Sequence, residues 1–118
     1  MSKFLAVNTV NTYYASIHMA GSSVAAKDVI QRWVLKGACV QVTECDYVYT
    51  GGRESGFIVR FINYPRFPKD DASTLANAEE LAEILAETLG QISYTIERSG
   101  VTTYYQRDGY EKQPEVEK

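Results

Sequence analysis

An α+β domain of order β-α-β-β-α-β, a ferredoxin-like sandwich with an antiparallel sheet and two helices on one face, is what this sequence predicts. Three observations carry the prediction. Two amphipathic helical stripes are each closed by a glycine, Gly37 and Gly90. Segments of strand-like alternation precede, separate and follow them. A glycine-rich stretch, residues 50–56, joins the two middle strands as a hairpin.

Residues 13–19 alternate cleanly, with Tyr13, Ala15, Ile17 and Met19 toward one face and Tyr14, Ser16 and His18 toward the other. That pattern marks a half-buried strand. The following Ala-Gly-Ser-Ser turn supplies a serine N-cap. A helix follows because Ala26, Val29, Ile30, Trp33 and Val34 recur at helical spacing, and Gly37 stops it. Trp33, the largest apolar group of that stripe, is read as the anchor of the helix against the sheet.

Residues 38–49 form the second strand, with Val40 and Val42 inward. The segment TGGRESG then reads as a loop with Arg53 at its tip. Residues 57–64, FIVRFINY, are apolar enough to be buried on most of both faces, which suits a central strand. Pro65 and Pro68 end it. Residues 71–89 form the second helix, with Leu75, Ala78, Ala82, Leu85 and Leu89 inward beside Leu81, and Glu79, Glu80, Glu83 and Glu87 on a solvated face. Residues 91–98 are the fourth strand, and Ser99-Gly100 can turn it into a fifth over residues 101–106. The domain is thus assigned to residues 1–106. Residues 107–118 form a polar, disordered tail, with five charges in the last eight positions. In this topology the first and third strands are central. The rival arrangement is a four- or five-stranded antiparallel sheet with the helices placed differently.

A chain of 118 residues with 45% hydrophobic content can build a core without metal or disulfide staples. A net charge of −3 opposes a broad grip on phosphate backbones, so nucleic acid is not the expected partner. Cys39 and Cys45 fit neither a disulfide nor a zinc site, which points to a reducing cytoplasm. No leader pattern and no apolar run of membrane-spanning length occur, so no membrane partner is expected. No cofactor is expected either.

The candidate chemistry is sparse. His18 is the only histidine, and no nucleophile or carboxylate accompanies it in sequence; a structural place on the strand is preferred over general-base work. The run Ser55-Gly56-Phe57-Ile58-Val59-Arg60-Phe61 approaches an RNA-binding sheet motif but is one residue short and lacks its leading basic residue, so a core role for the phenylalanines is preferred. Nine tyrosines, several in pairs, suit an interface as well as strand edges. The proline-stiffened segment of residues 63–69 displays Tyr64, Arg66, Phe67 and Lys69. With Arg53 these are the expected binding residues, because rigid aromatic and arginine side chains dominate interfaces. A packed alternative has Phe67 folding back over the end of the third strand.

The segments Val48-Tyr49-Thr50-Gly51-Gly52 and Phe61-Ile62-Asn63-Tyr64-Pro65-Arg66-Phe67-Pro68 together resemble small accessory proteins of tailed bacteriophages. The likeness covers the middle third of the chain and carries over no catalytic residue. It implies a protein made in the host cytoplasm that binds and blocks a host factor. The leading expectation is therefore a non-enzymatic inhibitor of a host protein, itself a homodimer. Two alternatives stand beside it: a module for a small anionic or nucleotide ligand, and a small oxygenase-like enzyme using His18. An arginine-lined pocket near Arg53, Arg60 and Arg66 would favour the anionic ligand, an apolar cavity under His18 the enzyme.

Overall fold

The computed structural model describes residues 3–110. Its elements are β1 (Tyr14–Ala20), α1 (Ser23–Trp33), β2 (Gln41–Tyr49), β3 (Gly52–Ile62), α2 (Asp71–Leu89), β4 (Ser93–Arg98) and β5 (Thr102–Gln106), with a short 3-10 turn, Val34–Lys36, continuing α1. The strands form one antiparallel sheet in the order β2-β3-β1-β4-β5. The chain is an α+β fold, with β1 and β3 inside the sheet and the fifth strand at its edge.

Local chemistry fixes the helix ends. The Ser22 hydroxyl accepts from the Ala25 amide at 3.2 Å, and the Asp70 carboxylate accepts from the Ser73 amide at 2.6 Å. Gly37 (φ 106°) and Gly90 (φ 71°) take the left-handed conformation that ends each helical run. Between those caps the stripes meet the sheet. Ala15, Ile17 and Met19 of β1, Phe57, Val59 and Phe61 of β3, and Ile96 of β4 pack with Ala26, Val29, Ile30 and Trp33 of α1 and Ala78, Leu81, Ala82 and Leu85 of α2. Both helices share this core and touch each other, so they cover a common face. Trp33 is only 9% exposed, crosses the Phe61 ring edge-to-face at 5.8 Å between centroids, and donates its indole N–H to Glu80 at 3.1 Å.

Two expectations change. The hairpin loop shrinks to Thr50 and Gly51, because Tyr49 already pairs with Gly52, and Gly51 takes φ 91°. Arg53, Glu54 and Ser55 are strand residues; a hairpin leaving the body of the sheet needs no buried face, so its polar composition concealed it. β2 begins at Gln41, which leaves Cys39 outside the strand, and both thiols are free.

The acidic face of α2 is exposed at Glu80, Glu83 and Glu87, as its composition suggests, but three of its glutamates have partners from other elements. Glu79 accepts from the Tyr105 hydroxyl at 2.7 Å, Glu80 from Trp33 and from Lys36 at 2.8 Å, and Glu87 pairs with Arg107 at 2.6 Å. Arg107, the first residue of the expected tail, also donates its amide to the Ile92 carbonyl at 2.8 Å. Residues 111–118 of that tail lie outside the described residues. Among the described residues no helix is long and apolar enough to cross a membrane.

Candidate functional site on the open face of the sheet

The alternation that buries Ile17 and Met19 sends Ser16 and His18 to the other side of β1, which no helix among the described residues covers. On that face the ladder sets His18 opposite Ile58 of β3 and Thr95 of β4, and Ser16 opposite Glu97. His18 Nε2 lies 2.9 Å from Glu97 Oε1, an ion pair when the imidazole is protonated. Its Nδ1 faces the Tyr47 hydroxyl at 3.5 Å, with the two rings edge-to-face.

Tyr47 reaches this position from β2, two strands away. It pairs with Glu54, and its ring passes over Gly56, where a Cβ would run into the ring and into the Met19 carbonyl oxygen. The hydroxyl donates to the Phe57 carbonyl at 3.1 Å. Burial, aided by the neighbouring Cys45 thiol, pushes its pKa far above the ordinary phenol value, so it remains a proton donor at neutral pH. A shallow cavity of about 210 Å³ opens here, lined by His18, Tyr47, Glu54, Gln91, Thr95 and Tyr104 among others. An imidazole oriented by a carboxylate, a protonated phenol, a second carboxylate and an amide therefore converge on one concavity. Such groups can hold a polar or cationic small molecule and exchange protons with it.

A second cavity, about 400 Å³, lies on the helix side between the C-terminal half of α2 and β4–β5, and Gln91 and Tyr94 line both. The Tyr94 and Tyr105 rings stack there at 4.9 Å. Burial, then the hydrogen bond to Glu79, pushes the Tyr105 phenol up to about 12.

The expected binding residues do not converge. Arg53 sits opposite Val48 near the hairpin turn. Arg60 lies seven positions along β3, hence on the other face and ~23 Å away, with its guanidinium 4.7 Å over the Tyr14 ring. Arg66 is on the loop after β3, so no arginine-lined pocket forms from the three. In that loop Tyr64 and Phe67 hold each other at 5.3 Å between rings and line a crevice of about 20 Å³ with Phe61 and Ile62. Phe67 is half folded back, 46% exposed, and Lys69 donates its amide to the Asn63 side chain at 3.0 Å. Phe57 and Phe61 are buried against the helices and so offer no rings to a nucleic-acid base.

Tyr47, Glu54, Glu97 and Tyr104 were not singled out as partners of His18, because cross-strand register is not written in any one strand. The one available signal was parity: Tyr47 follows Cys45, and Tyr104 follows Thr102, at strand spacing. Among the described residues no group of three histidine, cysteine or acidic side chains could hold a metal ion.

No family model matches the chain, and no curated protein matches it. Two solved structures share its fold. A phage SAM lyase in the apo state superposes with a TM-score of 0.62 at 17% identity, over 84% of this chain and 92% of that one. A phage SAM lyase in complex with S-methyl-5'-thioadenosine superposes with a TM-score of 0.67 at 16% identity, over 92% of this chain and all of that one. At these identities the likeness shows the fold. It agrees with the phage-related resemblance only at that level. The expectation of a non-enzymatic inhibitor of a host protein is corrected: the structures that share this fold are of an enzyme, and one holds a small molecule.

Proposed function

We propose that the chain is an enzyme of S-adenosylmethionine breakdown, a carbon–sulfur lyase acting at the His18–Tyr47–Glu97 cluster. The observation that carries the reading is the superposition with the S-methyl-5'-thioadenosine complex, which spans that chain entirely. Supporting it, the cavity beside the cluster has one carboxylate, Glu54, and the tyrosines Tyr47 and Tyr104 on its wall and no lysine or arginine, a lining suited to a cationic ligand. That lining also argues against the anionic-ligand alternative.

Release of S-methyl-5'-thioadenosine from S-adenosylmethionine breaks the bond between the sulfonium sulfur and the four-carbon amino-acid chain. The bonding pair goes to sulfur, whose positive charge disappears. The carbon left behind takes an electron pair from the substrate's own carboxylate, or a double bond forms as a neighbouring proton passes to a base, for which the His18 imidazole on the cavity wall is the available group. Neither route consumes water or a redox partner. Because the cation is lost, a carboxylate held against sulfur would stabilise the substrate more than the transition state. Glu54, the carboxylate on the cavity wall, is therefore assigned to the amino group or sugar hydroxyls, and the Tyr47 and Tyr104 rings to the sulfonium region, where low polarity favours charge loss. The His18–Glu97 pair fixes the imidazole, and the Tyr47 phenol, its proton given to the Phe57 carbonyl, stands as a neutral wall of the cavity.

The test is incubation of the purified chain with S-adenosylmethionine and mass spectrometry of the products. S-methyl-5'-thioadenosine and a four-carbon fragment should appear together. Unchanged substrate, with no binding by calorimetry, would remove the reading.

A further inference from the structure

The cavity beside His18 is too small to enclose S-adenosylmethionine whole. At about 210 Å³ it falls below the ~300–1,000 Å³ typical of small-molecule sites. The molecule is a nucleoside joined through its sulfonium to an amino-acid chain. Only the second half finds a matching wall there, with Glu54 for the amino group and the Tyr47 and Tyr104 rings for the sulfonium. The adenine and ribose need another surface within reach of the same sulfur.

Such a surface lies round the end of β4. The helix-side cavity, about 400 Å³, shares Gln91 and Tyr94 with the open-face cavity, so the two adjoin across a rim of two side chains. Gln91 is held at the end of α2 by its amide, which donates to the Ala86 carbonyl at 2.8 Å. Cross-strand register sets Tyr94 opposite Tyr105, and their rings stack with only 17° between planes. The Tyr105 hydroxyl is tied to Glu79 at 2.7 Å, so the ring pair is oriented without a ligand. Stacked tyrosines offer a flat platform of the kind on which nucleobases settle. The Gln91 and Gln106 amides on the same wall each carry a donor and an acceptor, which the edge of a purine requires.

Charge narrows the ligand further. Among the described residues the wall carries Glu83, Glu87 and Asp108 against one cation, Arg107, which Glu87 already pairs at 2.6 Å. A phosphate would meet that excess of carboxylates, whereas the hydroxyls of a ribose can donate to them. The lining therefore suits a nucleoside and opposes a nucleotide.

We infer that the helix-side cavity seats the adenosine half of S-adenosylmethionine, with the sulfonium and amino-acid half crossing the Gln91–Tyr94 rim into the open-face cavity. The identity of the full ligand rests on the lyase reading; the preference for an adenine nucleoside without phosphate stands on the lining itself.

Calorimetry with adenosine and with adenosine 5'-monophosphate measures the seat without catalysis. Adenosine should bind, and the monophosphate ~10-fold more weakly. Photolabelling with 8-azidoadenosine should modify residues 91–94 or 104–108. Tyr105→Leu should weaken adenosine ~10-fold through lost stacking. Gln106→Ala, at an exposed position, should weaken it ~5-fold through one lost hydrogen bond and keeps the test alive if the tyrosine variant misfolds. In turnover of S-adenosylmethionine both variants should raise KM and leave kcat near the parental value, because the nucleoside keeps its bonds while the sulfur–carbon bond breaks. Cleavage with KM unmoved in both variants, or label confined to other residues, overturns the inference and leaves the lyase reading. Adenosine bound and labelled at these residues by a chain that leaves S-adenosylmethionine intact removes the lyase reading and supports the nucleoside seat. Absence of adenosine binding overturns the inference in either case.

Discussion

The ring of Tyr47 lies across Gly56, and the site on the open sheet face depends on that glycine being there. Its φ is not the reason, since Gly56 is an ordinary strand position opposite Ala20 and Cys45. The reason is space: any Cβ would collide with the Tyr47 ring and come within 2.5 Å of the Met19 carbonyl oxygen. Gly56→Ala should destabilise the fold by ~1–3 kcal/mol, the usual penalty of overpacking. It should also displace Tyr47 from the Phe57 carbonyl. Urea denaturation measures the first effect and the near-ultraviolet tyrosine dichroism the second. A variant as stable as the parent would show that β2 yields freely at this point.

Trp33→Ala should cost ~3–5 kcal/mol, enough to unfold a domain of ordinary stability. The side chain joins both helices and the sheet, through Glu80 of α2 and Phe61 of β3. Trp33→Phe separates the two contributions. It keeps most of the apolar volume but loses the bond to Glu80 and part of the ring beneath the Lys36 ammonium, so its loss should be a minor fraction of the alanine value. Denaturant unfolding of the two variants side by side decides the matter.

Acid should weaken the fold through two carboxylates. The Ser73 amide holds Asp70 below its ordinary pKa of 3.8, and hydrogen bonds from Lys36 and then Trp33 hold Glu80 below 4.5. A depressed folded-state pKa means stability that is fully present above the unfolded value and lost as pH falls through the folded one. Thermal melts should therefore be level near neutrality and decline from about pH 4.5 downward. Glu80→Gln should flatten that decline in part. A melting temperature that rises on acidification across this range would contradict the assignment.

If the chain is a lyase, substitutions in the cluster should reduce turnover while leaving the fold in place. Tyr47→Phe and Glu54→Gln should each lower the formation of S-methyl-5'-thioadenosine at least tenfold, about 1.4 kcal/mol in the barrier. Glu97→Gln keeps the hydrogen-bonding shape toward His18 but removes the charge, and should shift the pH profile as well as the rate. Full activity in all three variants would move the chemistry elsewhere, first to the cavity beside Tyr94 and Tyr105.

The Arg66 and Phe67 display offers a contrasting outcome. Phe67 packs against Tyr64 and the end of β3, whereas Arg66 is exposed. Phe67→Ala should lower the melting temperature by a few degrees and Arg66→Ala should leave it unchanged, which differential scanning fluorimetry resolves. Equal effects would mean that the loop contributes nothing to packing.

Sequence by itself determined the elements and their buried faces. The stripe ending in Trp33, the stripe from Leu75 to Leu89, the glycines that end both helices and the inward triad Ala15, Ile17 and Met19 all follow from local periodicity and capping. Those depend only on neighbours a few residues apart. His18 was visible as a lone outward residue, and nothing in the chain could say what it faced. Its partners, Glu97 and Tyr47, come from 79 and 29 positions away. They meet it only because β4 and β2 take particular registers against β1 and β3. The acidic face of α2 is the same case: its outward position is legible in sequence, but not that Trp33, Tyr105 and Arg107 reach its glutamates across the fold. The hairpin tip was misplaced for the complementary reason. Arg53, Glu54 and Ser55 have loop composition, and only the backbone ladder continuing past the body of the sheet makes them strand. Register is a property of two segments together, settled by burial and turn geometry at long range; the site was decided there, and the elements that carry it were decided locally.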